Sequence, residues 1–367
     1  MARIDGAPDL QDRLDILCQY PSEEFLRIGI NDTNGLLDFP AVRTQLSDLA
    51  ESCLHGAYET ARAALLAQLG IAALPGRIAV VVLRKLGTGE LNYNSDLDLI
   101  FLYEPEEKNG NRAELSAQEI LTKLAQRLIS VLQVQTREGL VYQVDTRLRP
   151  SGRAGSLVSS VPAFERYHRM QAQLWERQAL IKARAVVGDR RLIEQVNDLV
   201  EHFVYGGAIG ADGVAEIQHV RGRMEHELAR ETAERVNFKT GRGGIVDIEF
   251  LVQMLQFRYG QRFAALIQRN TLAALAALTA CGIVSVTERQ VLTQGYQFLR
   301  RLENRLRIER DQPVEALGSD AEQLTALARR MGDEGAALGP RLLAEYQRQR
   351  EAIRACYSRL FVREQGD

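Results

Sequence analysis

The sequence predicts an α+β fold, in which a small mixed sheet lies between helical segments of the chain. Two short apolar runs, within 77–82 and 97–103, follow Pro75 closely and are rich in Val, Ile and Leu. Apolar residues recur at three- and four-residue spacing over 10–69, before these runs, and again over 161–361. We therefore predict a helical lead-in, a sheet-containing core and a carboxyl-terminal all-helical domain, with bounds 1–72, 73–187 and 188–367.

The first elements follow from periodicity and from glycine and proline positions. The lead-in helices are expected to stop at Gly70. "RIAVVVLRKLG" reads as a strand buried on both faces, and "LDLIFLY" as the next one. A helix is predicted from Ser116 to about Gln135, and a third strand from about Leu140 to Leu148. Beyond Val161 almost no strand signal remains, and "WERQALIKARAVVG" is included in the helices.

Composition excludes several classes of protein. The chain has 367 residues, 46% of them hydrophobic, and a net charge of −2, which gives no whole-surface attraction to nucleic acid. The four cysteines stand singly without a CxxC pair, so neither a disulfide framework nor a zinc site is predicted. No apolar run approaches about twenty residues, and the amino terminus is polar. We expect a cytoplasmic protein without membrane or nucleic-acid partners.

Two aspartates at the start of the second strand are the first candidate site. Residues two apart in a strand share a face, so Asp96 and Asp98 are expected to present both carboxylates together. A divalent cation removes the repulsion between two carboxylates, and Mg²⁺ prefers oxygen ligands that it shares with phosphates. The alternative is a pair of exposed aspartates met by nearby arginines.

A third acid, Asp145, lies in the third predicted strand, which a mixed sheet can place beside the first pair. Three carboxylates on adjacent strands can hold two Mg²⁺ ions about 3.5 to 4 Å apart, which suits displacement at phosphorus. Arg147 and Arg149 share the face of Asp145 if the strand continues, and a guanidinium matches phosphate oxygens. Salt bridges from these arginines to the acids are the alternative.

Two glycine-bearing segments are candidate phosphate sites. In "KLGTGELNYNS" the main-chain amides around Gly87 and Thr88 can approach phosphate. In "NFKTGRGGIVDIEF" three glycines precede a helix, with Lys239 and Arg242 adding charge. A plain helix start is the alternative there. We expect the packing of the surrounding helices not to depend on Gly243.

The motifs resemble one family. A turn, a DxD strand and a third acid on a later strand look like the nucleotidyltransferase superfamily typified by DNA polymerase beta. Four ordered stretches resemble glutamine synthetase adenylyltransferase more closely, and the similarity runs from about Leu14 to Gly332. They are "KLGTGELNYNSDLDLIFLYE", "YQVDTRLRPSGRAGSLVSS", "WERQALIKARAVVGD" and "FKTGRGGIVDIEFLVQ".

The resemblance implies an enzyme that moves AMP from ATP to a tyrosine of glutamine synthetase, while a homologous half removes it by phosphorolysis. The chain is long enough for one half, and its lead-in and "WERQALIKARAVVGD" are closer to the adenylylating, carboxyl-terminal half. Glutamine and a PII-type signal protein are the regulators that the family implies.

The resemblance also assigns residues. Asp96, Asp98 and Asp145 would hold Mg²⁺, with Asp145 accepting the proton of the tyrosine. Ser95 either contacts phosphate or caps the turn. The family usually has two adjacent glycines where this chain has Gly87 and Thr88, whose hydroxyl can donate to phosphate instead. The remaining predicted nucleotide contacts are Arg147, Arg149, Lys239, Arg242 and Gly243.

Three other functions stay open. The first is the reverse, AMP-removing activity on the same fold. The second is a catalytically silent regulatory half that binds nucleotide or a PII-type protein, which the presence of all three acids argues against. The third is a nucleic-acid polymerase of the same superfamily, which the nearly neutral charge weakens.

Overall fold

A computed structural model describes residues 10–105, 111–136, 139–232, 234–310, 312 and 314–366. The predicted polar amino terminus at 1–9 and part of the predicted loop at 106–110 lie outside these residues. The chain divides into two compact units, Met1–Phe203 and Val204–Asp367. The α+β class is confirmed, with a small mixed sheet in the first unit and a largely helical second unit.

The first unit contains most of the strands. Its helices are α1 (Leu10–Thr33), α2 (Phe39–Leu69), α3 (Arg84–Gly87), α4 (Asn111–Leu132), α5 (Val161–Met170), α6 (Leu174–Leu180) and α7 (Arg190–Tyr205), of which α7 ends in the second unit. Its strands are β1 (Gly76–Val82), β2 (Leu97–Pro105), β3 (Gln135–Thr136), β4 (Gly139–Leu140), β5 (Val144–Asp145), β6 (Val158–Ser160) and β7 (Arg184–Gly188).

The helical lead-in is confirmed, and its second helix has clear end signals. Asp38 caps α2 by accepting a hydrogen bond from the amide of Ala41 at 2.8 Å, and Pro40 lies in the first turn. Gly70 ends the helix at φ 64°, the left-handed conformation that glycine adopts without strain. Helix α2 packs against α1, α4 and β7, so the lead-in covers the sheet.

The sheet has the order β5-β2-β1-β7, and β6 also pairs with β2. Strand β1 runs antiparallel to β2 from Gly76↔Pro105 to Val82↔Leu99. Strands β5 and β6 run parallel to β2 along its other edge, at its start and further along. Val80 and Phe101 on one face and Val81 and Ile100 on the other are all buried, as predicted for strands covered on both faces.

Two strand predictions are wrong. The third predicted strand was expected over 140–148, but it is broken into β4 and the two-residue β5, which ends at Asp145. The segment "WERQALIKARAVVG" was expected to be helical, but Arg184–Gly188 forms β7 and pairs antiparallel with β1. A five-residue strand inside helical surroundings carries too little periodicity of its own to be recognised.

The second unit is built mainly from helices. These are α8 (Ala211–Leu228), α9 (Ile245–Tyr259), α10 (Thr271–Ala280), α11 (Val286–Arg310), α12 (Ala321–Arg330) and α13 (Leu338–Gly366). Helix α13 contacts α8, α9, α11 and α12, and its Ile353 and Phe361 are fully buried. One short ribbon qualifies the all-helical expectation: β8 (Arg235–Asn237) pairs antiparallel with β9 (Ala316–Gly318).

The division of the chain into domains at 72/73 and 187/188 stays a proposal.

Across the described ranges, every helix is too short or too polar to cross a membrane.

Candidate active site

Asp98 and Asp145 lie side by side on the sheet. They are direct partners in the parallel pairing of β2 with β5. Paired residues of adjacent strands point to the same face, and neighbouring strands are about 4.8 Å apart. The structure thus brings together two carboxylates that are 47 positions apart in the sequence.

Asp96 contributes to the same cluster from outside the strand. It is exposed and precedes β2, which begins at Leu97, so the expectation that Asp96 and Asp98 alternate along one strand is only half met. Burial raises the pKa of Asp98 to about 6, and the negative charges of Asp145 and Asp96 add to the effect. Both acids are therefore close enough to Asp98 to repel its carboxylate.

Two arginines neutralise part of this charge. The Nε of Arg84 lies 3.3 Å from Oδ1 of Asp98. Arg147 donates from its backbone amide to Oδ1 of Asp145 at 2.8 Å and from Nη2 to Oδ2 at 2.5 Å. The hydrogen bond from the Arg147 side chain is the main reason that the pKa of Asp145 is lowered. Arg84 had no role in the sequence-based site, since a lysine and an arginine at a strand end look like solvated side chains.

The oxygen ligands of the acid cluster suit Mg²⁺, although arginines face them in this structure. Within the described residues, no three His, Cys, Asp or Glu side chains are arranged to hold a metal ion, and Asp98 and Asp145 face Arg84 and Arg147 instead. The carboxylate oxygens are the ligands that Mg²⁺ prefers. Both arginine side chains are more than half exposed, so moving them away from the acids requires no repacking of the core. The donor chemistry fits a hard divalent cation.

Arg147 and Arg149 do not extend the strand as expected. The bond from the Arg147 amide to the Asp145 side chain is an Asx-type turn, which ends β5. Arg149 donates to the carbonyl oxygens of Thr146 at 2.8 Å and of Gly155 at 3.2 Å. Arg149 therefore holds the loop that follows the acid, while Arg147 faces the acid itself.

The turn after β1 differs from the predicted amide cradle. The amides of Gly87 and Thr88 donate to the carbonyls of Leu83 and Arg84, and the Thr88 hydroxyl donates to the carbonyl of Lys85 at 3.0 Å. A Cβ at position 87 would lie 1.7 Å from the carbonyl oxygen of Lys182, so glycine is required there by packing. Any nucleotide contact at Gly87 or Thr88 stays a prediction.

Ser95 lies between the left-handed Asn94 (φ 50°) and Asp96, in the turn that leads into β2. It is partly exposed. A phosphate contact from Ser95 stays a prediction.

Lys239, Arg242 and Gly243 belong to the second unit. The Gly243 amide donates to Oδ2 of Asp247 at 2.8 Å, and Lys239 forms an ion pair with Glu315. The amides of Gly244 and the two residues after it also have carbonyl acceptors. The anion-site hypothesis needs main-chain amides without acceptors, but the amides of this loop already donate to acceptors within the protein. Arg242, by contrast, is exposed.

The sequence analysis did not identify Asp247 as the residue whose side chain holds this loop in place. Its side chain is fully buried and lies 2.5 Å from Nη2 of Arg221, which is itself 1% exposed. An acid in the first turn of a helix looks like a dipole partner, and the sequence gives no sign that it fastens the preceding loop.

A cavity of about 320 Å³ in the first unit was also missed. It is lined in part by Ser151, Ser159 and Ser160, together with Arg166 and Tyr167. The motif "SGRAGSLVSS" supplies the serines, and it begins six positions after Asp145 in the chain. Hydroxyls and one guanidinium suit a polar ligand.

Comparisons with known proteins agree with the motifs. The family model described as glutamate-ammonia ligase adenylyltransferase matches residues 2–198, and that described as GlnD PII-uridylyltransferase matches residues 215–361. Three similar proteins are bifunctional glutamine synthetase adenylyltransferase/adenylyl-removing enzymes. That of Hahella chejuensis is 36% identical over 337 residues, that of Burkholderia mallei 36% over 353 and that of Stenotrophomonas maltophilia 38% over 300.

These alignments cover 90%, 90% and 80% of this chain but 35%, 38% and 32% of the relatives. The chain therefore spans about a third of the length of the curated relatives that it matches.

Proposed function

Because the chain belongs to the glutamate-ammonia ligase adenylyltransferase family, we propose that it transfers AMP from ATP to a tyrosine of glutamine synthetase. The observation that carries the proposal is the pairing of Asp98 with Asp145 across adjacent parallel strands. Two acids placed in this way, with a third beside them, suit phosphoryl transfer, in which catalysis is mostly positioning and charge stabilisation.

The chemistry is proposed as follows. The tyrosine oxygen bonds to the α-phosphorus of ATP, the bond from that phosphorus to the bridging oxygen breaks, and pyrophosphate leaves. Asp145 accepts the tyrosine proton. Asp145 is ionised at neutral pH, which is the state that a base requires, because the ordinary pKa of an aspartate is about 3.8 and Arg147 lowers it further while it is bound. Proton transfer to a positioned side chain contributes roughly 10² to 10⁴-fold to the rate.

Asp96, Asp98 and Asp145 are the proposed ligands of Mg²⁺. When bound, the metal supplies positive charge for the phosphate oxygens and offsets the repulsion among the acids. Arg147 has a second proposed role once it leaves Asp145, because its exposed guanidinium can bind phosphate oxygens bidentately. Ser95 and Thr88 remain proposed nucleotide contacts from the turn.

The direction of transfer is part of the proposal. The relatives are named for both activities, and the lead-in and "WERQALIKARAVVGD" favour the adenylylating half. The full chain should be incubated with glutamine synthetase, Mg²⁺ and ATP labelled at the α-phosphate. We expect label on one tyrosine of glutamine synthetase, and none on a variant with phenylalanine at that position.

The reverse reaction provides the contrasting assay. Adenylylated glutamine synthetase and phosphate should yield little ADP if the proposal is right. Rapid release of ADP without incorporation of label would assign the chain to the adenylyl-removing activity. The absence of both reactions would favour a silent regulatory half.

We also propose a cytoplasmic location and a PII-type signal protein as a regulator. The match of 215–361 to a family described as PII-uridylyltransferase supports the regulator, since PII is the protein in that description.

A further inference from the structure

One face of helix α2 carries polar residues at a regular spacing. Arg43, Ser47 and Glu51 are four positions apart, so they lie above one another on the same side of the helix. Such a stripe normally faces solvent. Here Arg43 and Ser47 are buried, and all three contact β7 or the chain between β1 and β2.

The first two residues contact the chain between β1 and β2. We name residues 83–96 the approach segment, because they lead from β1 to the aspartates. Arg43 forms an ion pair with Glu90, and their side chains are 7% and 2% exposed. The Ser47 hydroxyl accepts a hydrogen bond from the amide of Leu91 at 3.0 Å. These buried polar groups depend on each other, because a buried charge without its partner is costly.

The third residue, Glu51, acts on the approach segment indirectly, through Arg184 of strand β7. Glu51 forms an ion pair with Arg184 of β7, and Arg184 also donates to two carbonyl oxygens of the approach segment. Its Nε lies 3.1 Å from the Gly87 oxygen and its Nη2 lies 3.2 Å from the Leu86 oxygen. Glu51 therefore orients a guanidinium that fastens the turn at Gly87.

The other lead-in helix makes a fourth contact. The Tyr93 hydroxyl donates to Oδ2 of Asp32 at 3.2 Å, and Asp32 is 2% exposed. From Leu86 to Tyr93, the approach segment is thus held at several points by residues of the lead-in or by Arg184.

We propose that the α2 face formed by Arg43, Ser47 and Glu51 is a positioning element that sets the turn at Gly87 for ATP. The inference rests on the proposed function, because it assigns that turn to the nucleotide. None of the three residues is proposed to touch ATP. Their effect is expected on nucleotide affinity, and the affinity for glutamine synthetase should not change.

The test uses two variants of the full chain and a matched control. Glu51→Gln removes the charge that orients Arg184, and Arg184→Lys keeps the charge but loses the planar fork that reaches both carbonyls. The control is Glu59→Gln on the same helix, since Glu59 is partly exposed and forms an ion pair with Arg62 at 2.8 Å, one turn along the helix. Binding of a non-hydrolysable ATP analogue with Mg²⁺ is measured by calorimetry.

We expect the Kd of the analogue to rise about tenfold in both variants, with a fall in Tm of no more than a few degrees. The KM for glutamine synthetase should stay unchanged, and Glu51→Asp should recover part of the affinity. The control should bind as the wild type does. Unchanged analogue affinity in Glu51→Gln would overturn the inference.

A second readout does not need ATP. Hydrogen exchange at the amides of 87–91 should be at least tenfold faster in Glu51→Gln than in Glu59→Gln if the face positions the turn. Equal exchange would overturn the positioning element whether or not the chain binds ATP. Failure of the wild type to bind nucleotide, together with faster exchange in Glu51→Gln, would support the positioning element and reject the proposed function.

Discussion

Replacing Asp98 by Asn is expected to lower the rate of AMP transfer by about a thousandfold or more, because metal-assisted stabilisation of phosphoryl transfer is worth several kcal/mol. Asp98 is the buried member of the acid cluster and the direct partner of Asp145. The substitution keeps the shape of the side chain and removes its charge. Transfer to glutamine synthetase under saturating ATP measures the effect.

A control lies on the same strand. Glu104 is near the other end of β2 and pairs with Arg77 at 2.6 Å. Glu104→Gln removes one negative charge from the same strand without touching the acid cluster, so its rate should stay within about twofold of the wild type. A rate for Asp98→Asn close to that of Glu104→Gln would reject the catalytic assignment.

The same Asp98→Asn variant should be more stable than the wild type at neutral pH when metal is removed by a chelator. The folded-state pKa of Asp98 is about 6, above the ordinary value of 3.8, so the native state binds the proton more tightly. This contribution to stability is complete below about pH 4 and is lost as the pH rises through 6. Asparagine does not titrate and avoids that loss.

Thermal unfolding at pH 5 and pH 7.5 checks this expectation. The variant should gain about 1.4 kcal/mol relative to the wild type between these two pH values, since about one pH unit separates pH 5 from the folded-state pKa of about 6. A variant that becomes relatively less stable at pH 7.5 would show that the Asp98 charge is held favourably by Arg84 rather than opposed by burial.

Gly243→Ala is expected to destabilise the second unit by about 3 kcal/mol or more, at the upper end of single-residue effects. Gly243 has φ 70°, and a Cβ there would lie 2.1 Å from the carbonyl oxygen of Arg350 in α13. Backbone atoms cannot move aside as a flexible side chain can. The expectation that helix packing does not depend on Gly243 is therefore wrong, and a valine there would disturb the fold as well as any function.

Gly282→Ala separates the strain of a left-handed backbone from the steric clash with the backbone of Arg350. Gly282 has φ 73°, but a Cβ at that position would have no atom within 4 Å. It should therefore cost only about 1 to 2 kcal/mol, the penalty of a left-handed backbone without a clash. Urea unfolding of both variants gives the comparison, and equal losses of stability would mean that the Arg350 backbone moves away without cost.

The elements that carry strong local patterns could be predicted from the sequence. Strand β2 was recognised because an unbroken apolar run from Leu97 to Tyr103 follows the aspartates. The placement of Asp145 beside Asp98 followed from the assumption that neighbouring strands of a small mixed sheet pair. The lead-in helices followed from periodicity and from Gly70.

The remaining features depend on contacts between distant parts of the chain. Strand β7 exists because it pairs with β1, about a hundred residues earlier, and its own five residues look like the end of a helix. The α2 face looks like an exposed helix surface, because the partner of Glu51 is 133 positions away. Neither partner can be identified from local spacing.

The loop around Gly243 shows a third reason why sequence alone falls short: the main-chain amides there already donate hydrogen bonds within the protein. A glycine-rich entry to a helix predicts an anion site only if its N–H groups lack acceptors. The acceptor for Gly243 is the side chain of Asp247, which also forms ion pairs with Arg221 and Arg354. Sequence alone gives the charges at these positions but not the direction of each side chain.

The central claim is that ATP binds through metal at the acid cluster of Asp96, Asp98 and Asp145. Thermal protection of the full chain by ATP tests it most directly, with Mg²⁺ present or removed by a chelator. At a hundredfold excess over the dissociation constant, ATP should stabilise the wild type by about 2.7 kcal/mol with Mg²⁺ and should give little protection in chelator or to Asp98→Asn. Equal protection with Mg²⁺ and in chelator would place the phosphate site away from the three carboxylates and contradict the account.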